Sequence, residues 1–339
     1  MEIGKLPHNL LAQLLSKIPM DERVVVGPGI GMDAAVLDFG DRLLIAKTDP
    51  VTFATDLIGW YAVNVNANDI AAMGGTPKWF LATLLLPNHC SPDLAADIFD
   101  QILNSCAELD ISLVGGHTEI TYDLPRSIVV GCMLGESTRT DLVSAGGARI
   151  GDRIIMTKGV AVEGTSLLAR EYRAELVMQG VGESTIQACA DLLFDPGISV
   201  VRDAHICAET GHVTAMHDPT EGGLATGLME MAVASGLGIE IEREAIPVLA
   251  ETEEICSVLG LDSMGLIASG TLLVAVSAND CDRVIDALAR SGIAASDIGC
   301  IQPKDFGLKM RIESGLVDLP AFARDEIARV FEGGEGDEG

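Results

Sequence analysis

The chain has 339 residues, 48% of them apolar, and carries 50 acidic against 22 basic side chains for a formal net charge of -28. A single core usually stops growing at about 250–300 residues, so two domains are expected, with ample apolar material for both. A polyanion of this kind repels phosphate backbones and anionic lipid, which argues against nucleic-acid or membrane binding but admits a nucleotide whose phosphates a divalent metal neutralises.

The N-terminus lacks the charged-then-apolar architecture of a signal segment, and no uncharged run reaches about 18 residues, so a cytoplasmic location is expected. The eight cysteines form no C-x-x-C pair and several sit in apolar runs, which reads as reduced, buried small hydrophobes. Pro7–Ile18 reads as a short amphipathic helix with Leu10, Leu11, Leu14 and Leu15 on one face. After the glycine-rich stretch Gly27–Gly31 come strands at Ala34–Leu37 and Leu43–Thr48. Residues 57–73 are helical by spacing, with Val63, Ala67, Ile70 and Ala71 facing the core and Asn66 and Asp69 on a neighbouring face. Trp79–Leu86 is an apolar strand, and Ser91 caps a helix that starts at Pro92 and runs to about Leu109. A short strand Ile111–Val114 feeds GGHTE, and Ser127–Leu134 is the next strand.

The small-residue stretch 144–153 marks the domain boundary, giving domains over 1–148 and 149–332 and a disordered acidic tail over 333–339. The second half alternates elements: strand Ile154–Thr157, helix Ser199–Thr210, strand Val213–Met216, helix 223–235 after DPTEGGL, strands Gly238–Glu242 and Leu272–Val276, and a helix capped by Asn279 running to Arg290.

Glycine-flanked or strand-terminal carboxylates recur: Asp33 in GPGIGMDAAVL, Asp49 in AKTDP, Asp69 in NANDIAAMGG, Glu119 in GGHTE, and Asp218 with Glu221 in HDPTEGGL. A hard cation such as Mg²⁺ takes one or two protein carboxylates together with phosphate oxygens and water, and glycines let backbone N–H groups approach phosphate closely. Each signal alone is weak. Asp33 suits a turn, Gly27–Gly31 suits an ordinary loop, and no Gly-Lys-Ser/Thr follows it as in a Walker A sequence. His117 alone reads as a structural histidine, Asp218 as a helix cap, and the adjacent His217 and Asp218 would point oppositely on a strand.

In their order, GxGxDAAVL, TD at a strand end, NDIAAMGGTP, GGHT and DPTEGGL resemble the superfamily of aminoimidazole ribonucleotide (AIR) synthetase, from about residue 27 to 280. That PurM-like superfamily includes HypE, thiamine-monophosphate kinase and selenophosphate synthetase; DPTEGGLA is most similar to the DPTRGGLA of the HypE-like, AIR synthase-related branch. The resemblance implies an α/β (α+β) two-domain fold whose N-terminal sheet forms a barrel across a homodimer, followed by a C-terminal α/β domain. It implies ATP in a cleft between the domains, with Gly27, Gly29, Gly31, Asn66, Gly115, Gly116 and Thr118 beside it and Mg²⁺ on Asp33, Asp49 and Asp69. Its members use ATP to phosphorylate or activate a substrate oxygen, work done by positioning and charge neutralisation.

Departures from the pattern bear on the reaction. Met32 stands where relatives often have a second acid, and His117 stands where kinases and HypE proteins have Asp, leaving Glu119 to supply the charge as a fourth candidate metal ligand. Glu221 replaces the second Asp of the kinase pattern and, beside Asp218, is a candidate for a metal or general-base role; His117 is the third candidate catalytic side chain. The last cysteine is Cys300, so the terminal cysteine that carries the carbamoyl group in HypE has no counterpart. The expectation is an ATP- and Mg²⁺-dependent enzyme acting on a small-molecule or protein-borne substrate. A thiamine-monophosphate-kinase-like activity and a non-catalytic nucleotide-binding maturation partner are the alternatives.

Overall fold

The computed structural model describes residues 5–333, within which lie eleven α-helices and thirteen strands. In chain order the first part comprises α1 (His8–Leu15), β1 (Val24–Val26), β2 (Ala35–Asp38), β3 (Leu43–Val51), α2 (Ile58–Ala72), β4 (Thr76–Pro87), α3 (Pro92–Glu108), β5 (Ser112–Thr121) and β6 (Ile128–Ser137). The strands form one sheet in the order β1-β2-β3-β6-β4-β5, antiparallel except for β4 and β5, which α3 connects in parallel.

Helix α2 buries 13 of its 15 residues, not the single apolar face that the spacing predicts. It packs against β3 and β6 on one side and α3 on the other. Its asparagines pair where they are buried: Asn64 Nδ2 donates to the Trp60 carbonyl and to Ser105 Oγ, each at 3.0 Å, and Asn66 Nδ2 donates to the Ala62 carbonyl at 2.8 Å. Helix α3 begins as expected, with Ser91 Oγ accepting from the Leu94 N–H and Pro92 in the first turn.

Two strands run longer than the sequence predicts. β3 continues through Asp49 to Val51, so Asp49 lies inside it. GGHTE is no turn: it is the middle of β5, with Gly116 opposite Ala82 and His117 opposite Thr83. A Cβ on Gly116 would stand 1.9 Å from the Ala82 carbonyl oxygen, so this close pairing requires glycine. β5 is the sheet edge and is exposed along most of its length.

The second part comprises β7 (Arg153–Thr157), α4 (Val162–Glu171), α5 (Arg173–Met178), α6 (Glu183–Asp191), α7 (Val201–Glu209), β8 (Val213–His217), α8 (Gly223–Ser235), β9 (Gly238–Glu242), α9 (Ala250–Leu259), β10 (Leu273–Val276), α10 (Cys281–Arg290), β11 (Ala295–Gln302), β12 (Leu308–Ile312), β13 (Gly315–Asp318) and α11 (Glu326–Gly333). Its sheet has the order β13-β12-β9-β11-β7-β10-β8, with apolar, buried central strands β7 and β10. Helix α10 takes Asp280 as its N-cap residue instead of Asn279, and the Asp280 carboxylate accepts from Ser277 Oγ at 2.7 Å.

By contacts the chain divides into two compact units. One holds Met20–Gly27 with Asp33–Leu142; the other holds the chain up to Pro19, Pro28–Met32 and everything from Val143 onward. Residues 334–339 of the expected acidic tail lie outside the described residues. No helix among the described residues is long and apolar enough to cross a membrane.

Ile70 is fully buried on α2. Ile70→Ala is expected to lower stability by about 2–5 kcal/mol, measured by chemical denaturation.

Candidate functional site

In the N-terminal sheet, strand alternation puts Lys47 and Asp49 on the same face of β3. Asp69 reaches them from the last turn of α2, and Asp33 from the segment just before β2. The Lys47 ammonium lies 3.1 Å from Asp69 Oδ1 and 3.2 Å from Asp49 Oδ2. Asn66 fixes the strand here, its Oδ1 accepting from the Asp49 N–H at 2.9 Å and its Nδ2 donating to the Asp49 carbonyl at 3.3 Å.

Three carboxylates around one ammonium leave an excess of negative charge, which raises the proton affinity of the group. Burial works against the charge on Lys47, but Asp69, Asp49 and Asp33 hold its ammonium above the ordinary lysine range. Burial raises the Asp69 carboxyl well above the usual carboxylate range; Lys47 opposes the rise and Asp49 and Asp33 add to it. Asp69 is 3% exposed, and its Oδ2 has no hydrogen-bond partner among the described residues. Hard oxygen donors, excess negative charge and an unsatisfied buried carboxylate oxygen fit a divalent cation. The side chains as they stand enclose none: among the described residues no three His, Cys, Asp or Glu side chains form a ready metal cage.

The candidate residues of β5 lie elsewhere on the sheet. Asp49 pairs with Gly131 of β6, Gly131 with Ala82 of β4 and Ala82 with Gly116 of β5, which separates β3 from β5 by three strand spacings, about 14 Å. Gly115, Gly116, His117, Thr118 and Glu119 therefore do not join Asp49 and Asp69 within one chain. His117 Nε2 lies 3.0 Å from Glu119 Oε2, and Glu119 Oε1 accepts from Thr121 Oγ1 at 3.1 Å. Those hydrogen bonds, His117 first, hold the exposed Glu119 carboxyl below its ordinary value. Of the loop glycines, Gly31 has φ +76°, and a Cβ there would stand 2.3 Å from the Glu230 carbonyl oxygen, so packing on α8 requires it. A Cβ on Gly29 would meet only the Met32 side chain, and one on Gly27 mainly that of Met20.

A second cluster surrounds the DPTEGG turn between β8 and α8. His217 Nε2 lies 3.1 Å from Glu230 Oε2 of α8, and Lys5 Nζ and His8 Nε2 approach the same carboxylate at 3.4 and 3.7 Å. Burial alone would raise the Glu230 carboxyl, but His217, His8 and Lys5 together hold it far below the usual range. Glu221 Oε1 accepts from the Lys5 N–H at 2.9 Å. Asp218 is 2% exposed and does not cap α8, whose N-cap residue is Gly222. The Gly222 N–H donates instead to Asp325 Oδ2 at 2.6 Å, and Asp325 Oδ1 accepts from Ile267 and Ile327 N–H groups at 3.2 and 2.9 Å.

The charges beneath this turn are buried too. Lys158 Nζ donates to the Ser199 and Gly197 carbonyls at 2.6 and 3.2 Å and lies 3.3 Å from Asp203 Oδ1. Burial pulls its ammonium below the ordinary range, against the pull of Asp203 and Asp218. Burial pushes Glu163 up to about 7, with hydrogen bonds from Ser269 opposing it and Asp325 reinforcing it. Burial likewise pushes Asp325 up to about 6, although its three backbone donors oppose the rise.

Lys47, Glu230, Lys5, Lys158, Glu163 and Asp325 did not stand out in the sequence. Lys47 was legible as the i−2 neighbour of Asp49 on a strand, and Asp325 as an acid at a helix start; the others lack a local signal.

Two mixed sheets, each covered by helices, with carboxylate clusters on separate units, define an AIR synthase-related protein. The model for the AIR synthase related protein N-terminal domain matches residues 31–137 and that for the C-terminal domain matches 149–311, and the chain belongs to this PurM-like family. A protein of Methanocaldococcus jannaschii provisionally named for hydrogenase expression/formation is 28% identical over 96% of this chain and 97% of its own length. The carbamoyl dehydratase HypE of Cupriavidus necator is 26% identical over 75% of this chain and 71% of its own. A thiamine-monophosphate kinase of Rhodopirellula baltica is 30% identical over 66% of each. Among solved structures, a HypE–HypF complex aligns with a TM-score of 0.74 at 21% identity, over 92% of this chain and 99% of the solved one. HypE in complex with ATP aligns with a TM-score of 0.72 at 21% identity, over 93% and 91%. At these identities the structures establish the fold.

Glu163 supplies a pH test. Its folded pKa of about 7 lies above the ordinary value of 4.5, so its stabilising contribution is full below about pH 4.5 and is lost as pH rises through 7. Between pH 5 and 8 the native protein is expected to lose stability, and Glu163→Gln is expected to lose less, by on the order of 2 kcal/mol. Paired denaturant titrations at the two pH values measure the difference.

Proposed function

We propose that the chain is an ATP- and Mg²⁺-dependent enzyme of HypE-like type that uses ATP to phosphorylate or activate an amide, carbonyl or phosphate oxygen of its substrate. The observation that carries this reading is the set of Asp33, Asp49 and Asp69 around Lys47, an anionic pocket with an unsatisfied buried oxygen. A site so negative holds a nucleotide only through cations. Magnesium, when bound, neutralises charge on the phosphates. Asp33, Asp49 and Asp69 are the residues that would hold it, and Asn66 keeps Asp49 in place. Family membership and the ATP bound to HypE support the assignment.

In the second unit we assign Asp218 and Glu221 to orienting the attacking oxygen and accepting its proton; His117 and Glu119 are candidates on β5 in their own right. Two carboxylates on one turn also suit a small-molecule kinase, the reaction named for the Rhodopirellula relative. A protein-borne substrate follows the precedent of HypE bound to HypF. Eight free thiols suit a cytoplasmic protein. The exposed β5 edge, with Val114 at 54% and Ile120 at 65% exposure, suits pairing with a second copy of the chain.

MgATP at about 100 times its Kd is expected to stabilise the protein by about 2.7 kcal/mol in thermal unfolding, and Asp69→Asn to abolish the shift. No shift for the wild type would defeat the reading. With substrate candidates, ADP plus free phosphate marks activation chemistry and a phosphorylated product marks a kinase. Light scattering is expected to show a dimer for the wild type and a monomer for Val114→Lys; a monomeric wild type would remove the dimer.

A further inference from the structure

We propose that Lys47 is a built-in cation occupying the bridging position between Asp49 and Asp69, so that the site takes a single divalent cation and Lys47 does the work of a second. This rests on the proposed ATP site and specifies its metal requirement.

The ammonium stands 3.1 Å from an oxygen of α2 and 3.2 Å from an oxygen of β3, the place where an ion shared by both carboxylates would sit. A magnesium ion bonds oxygen at about 2.1 Å, so to bridge this pair it would have to expel the ammonium and draw the carboxylates inward. Neither carboxylate moves easily: Asp69 belongs to a helix buried on all sides, and the Asp49 backbone is held by Asn66 through two hydrogen bonds.

Charge leads to the same count. Before any nucleotide is bound, Asp33, Asp49 and Asp69 carry -3 when ionised and Lys47 +1, leaving -2, which one divalent cation cancels. The residue beside Asp33 is Met32, so no fourth acid on that segment calls for a second ion. The donors that remain also suffice for one cation. Asp69 turns Oδ1 to Lys47 and keeps Oδ2 buried without a hydrogen-bond partner among the described residues, while Asp33 and Asp49 lie within electrostatic range.

Lys47 has a further use for its position. An ammonium has three N–H donors and is ion-paired here with two carboxylates, so it has donor capacity to offer a phosphate oxygen. The side chain keeps 20% of its surface exposed, which leaves room for that contact. An ammonium in this place is permanent, whereas a metal ion there would have to be recruited from solution, so nucleotide binding should depend on divalent cation to first order.

The test is Mn²⁺ binding to the full chain, followed by electron paramagnetic resonance, for the wild type, Lys47→Met and Lys47→Gln. Lys47→Gln keeps a hydrogen-bond donor, and circular dichroism checks that each variant is folded. Without nucleotide, both variants are expected to bind Mn²⁺ at least 10-fold more tightly than the wild type. With a non-hydrolysable ATP analogue, the wild type should hold one Mn²⁺ per chain and the variants two. Two ions in the wild type, or variants that match it in affinity and number, overturn the proposal. A wild type that takes up Mn²⁺ but never the analogue refutes the nucleotide reading alone, because the nucleotide-free comparison still decides the role of Lys47.

Discussion

The contact between Lys47 and Asp69 is the constraint from which the N-terminal unit is best understood. Asp69 sits on a helix with almost no exposed face, and an isolated carboxylate in such a place would neutralise itself or destabilise the fold. One lysine from the adjoining strand gives it a counter-charge, and the same lysine serves Asp49. For that lysine to reach both, β3 must be held against α2 at one register, which the Asn66 amide enforces by bonding both the N–H and the carbonyl of Asp49. The asparagines of α2 are thus parts of the site as much as of the core.

The C-terminal unit meets the same difficulty with different means. Glu230 is kept ionised by imidazoles and a lysine, Asp325 by three backbone donors that only partly offset its burial, and Lys158 by two carbonyls and Asp203. Glu163 has weaker compensation and holds its proton to about pH 7. The DPTEGG turn rests on these groups. Asp325 takes the Gly222 N–H that opens α8, and Lys5 ties the chain's early segment to Glu221. The position of Glu221 therefore depends on residues more than 100 places away in either direction along the chain.

What could be read from the sequence followed locality. The cap of α3 at Ser91 and the span of α8 were legible because capping and helical periodicity act over a few residues. The strand expected to end at Val114 runs on through GGHTE, because a glycine pair marks a strand end and a tightly paired strand equally well, and only the Ala82 carbonyl across the sheet decides between them. The burial of the face that carries Asn66 and Asp69 was not legible either, because the partners of the α2 asparagines lie on β3 and α3, far along the chain. Asp33, Asp49 and Asp69 were singled out and lie around Lys47, but the lysine itself was not, since its contact with Asp69 comes from α2. Glu119, placed with them by motif order, lies three strands away.

The net charge takes on a sharper meaning against this background. A chain at -28 does not attract a nucleotide by its overall field, so attraction has to be generated within the site. A fixed ammonium does this without waiting for solution metal, but it also fills one of the few positions where metal could bind. The two demands oppose each other: more built-in positive charge means less metal and less of the charge neutralisation that phosphoryl transfer requires. On the proposed reading, three carboxylates and one lysine are a compromise between them, negative enough to recruit one divalent cation and not so negative that phosphate is turned away.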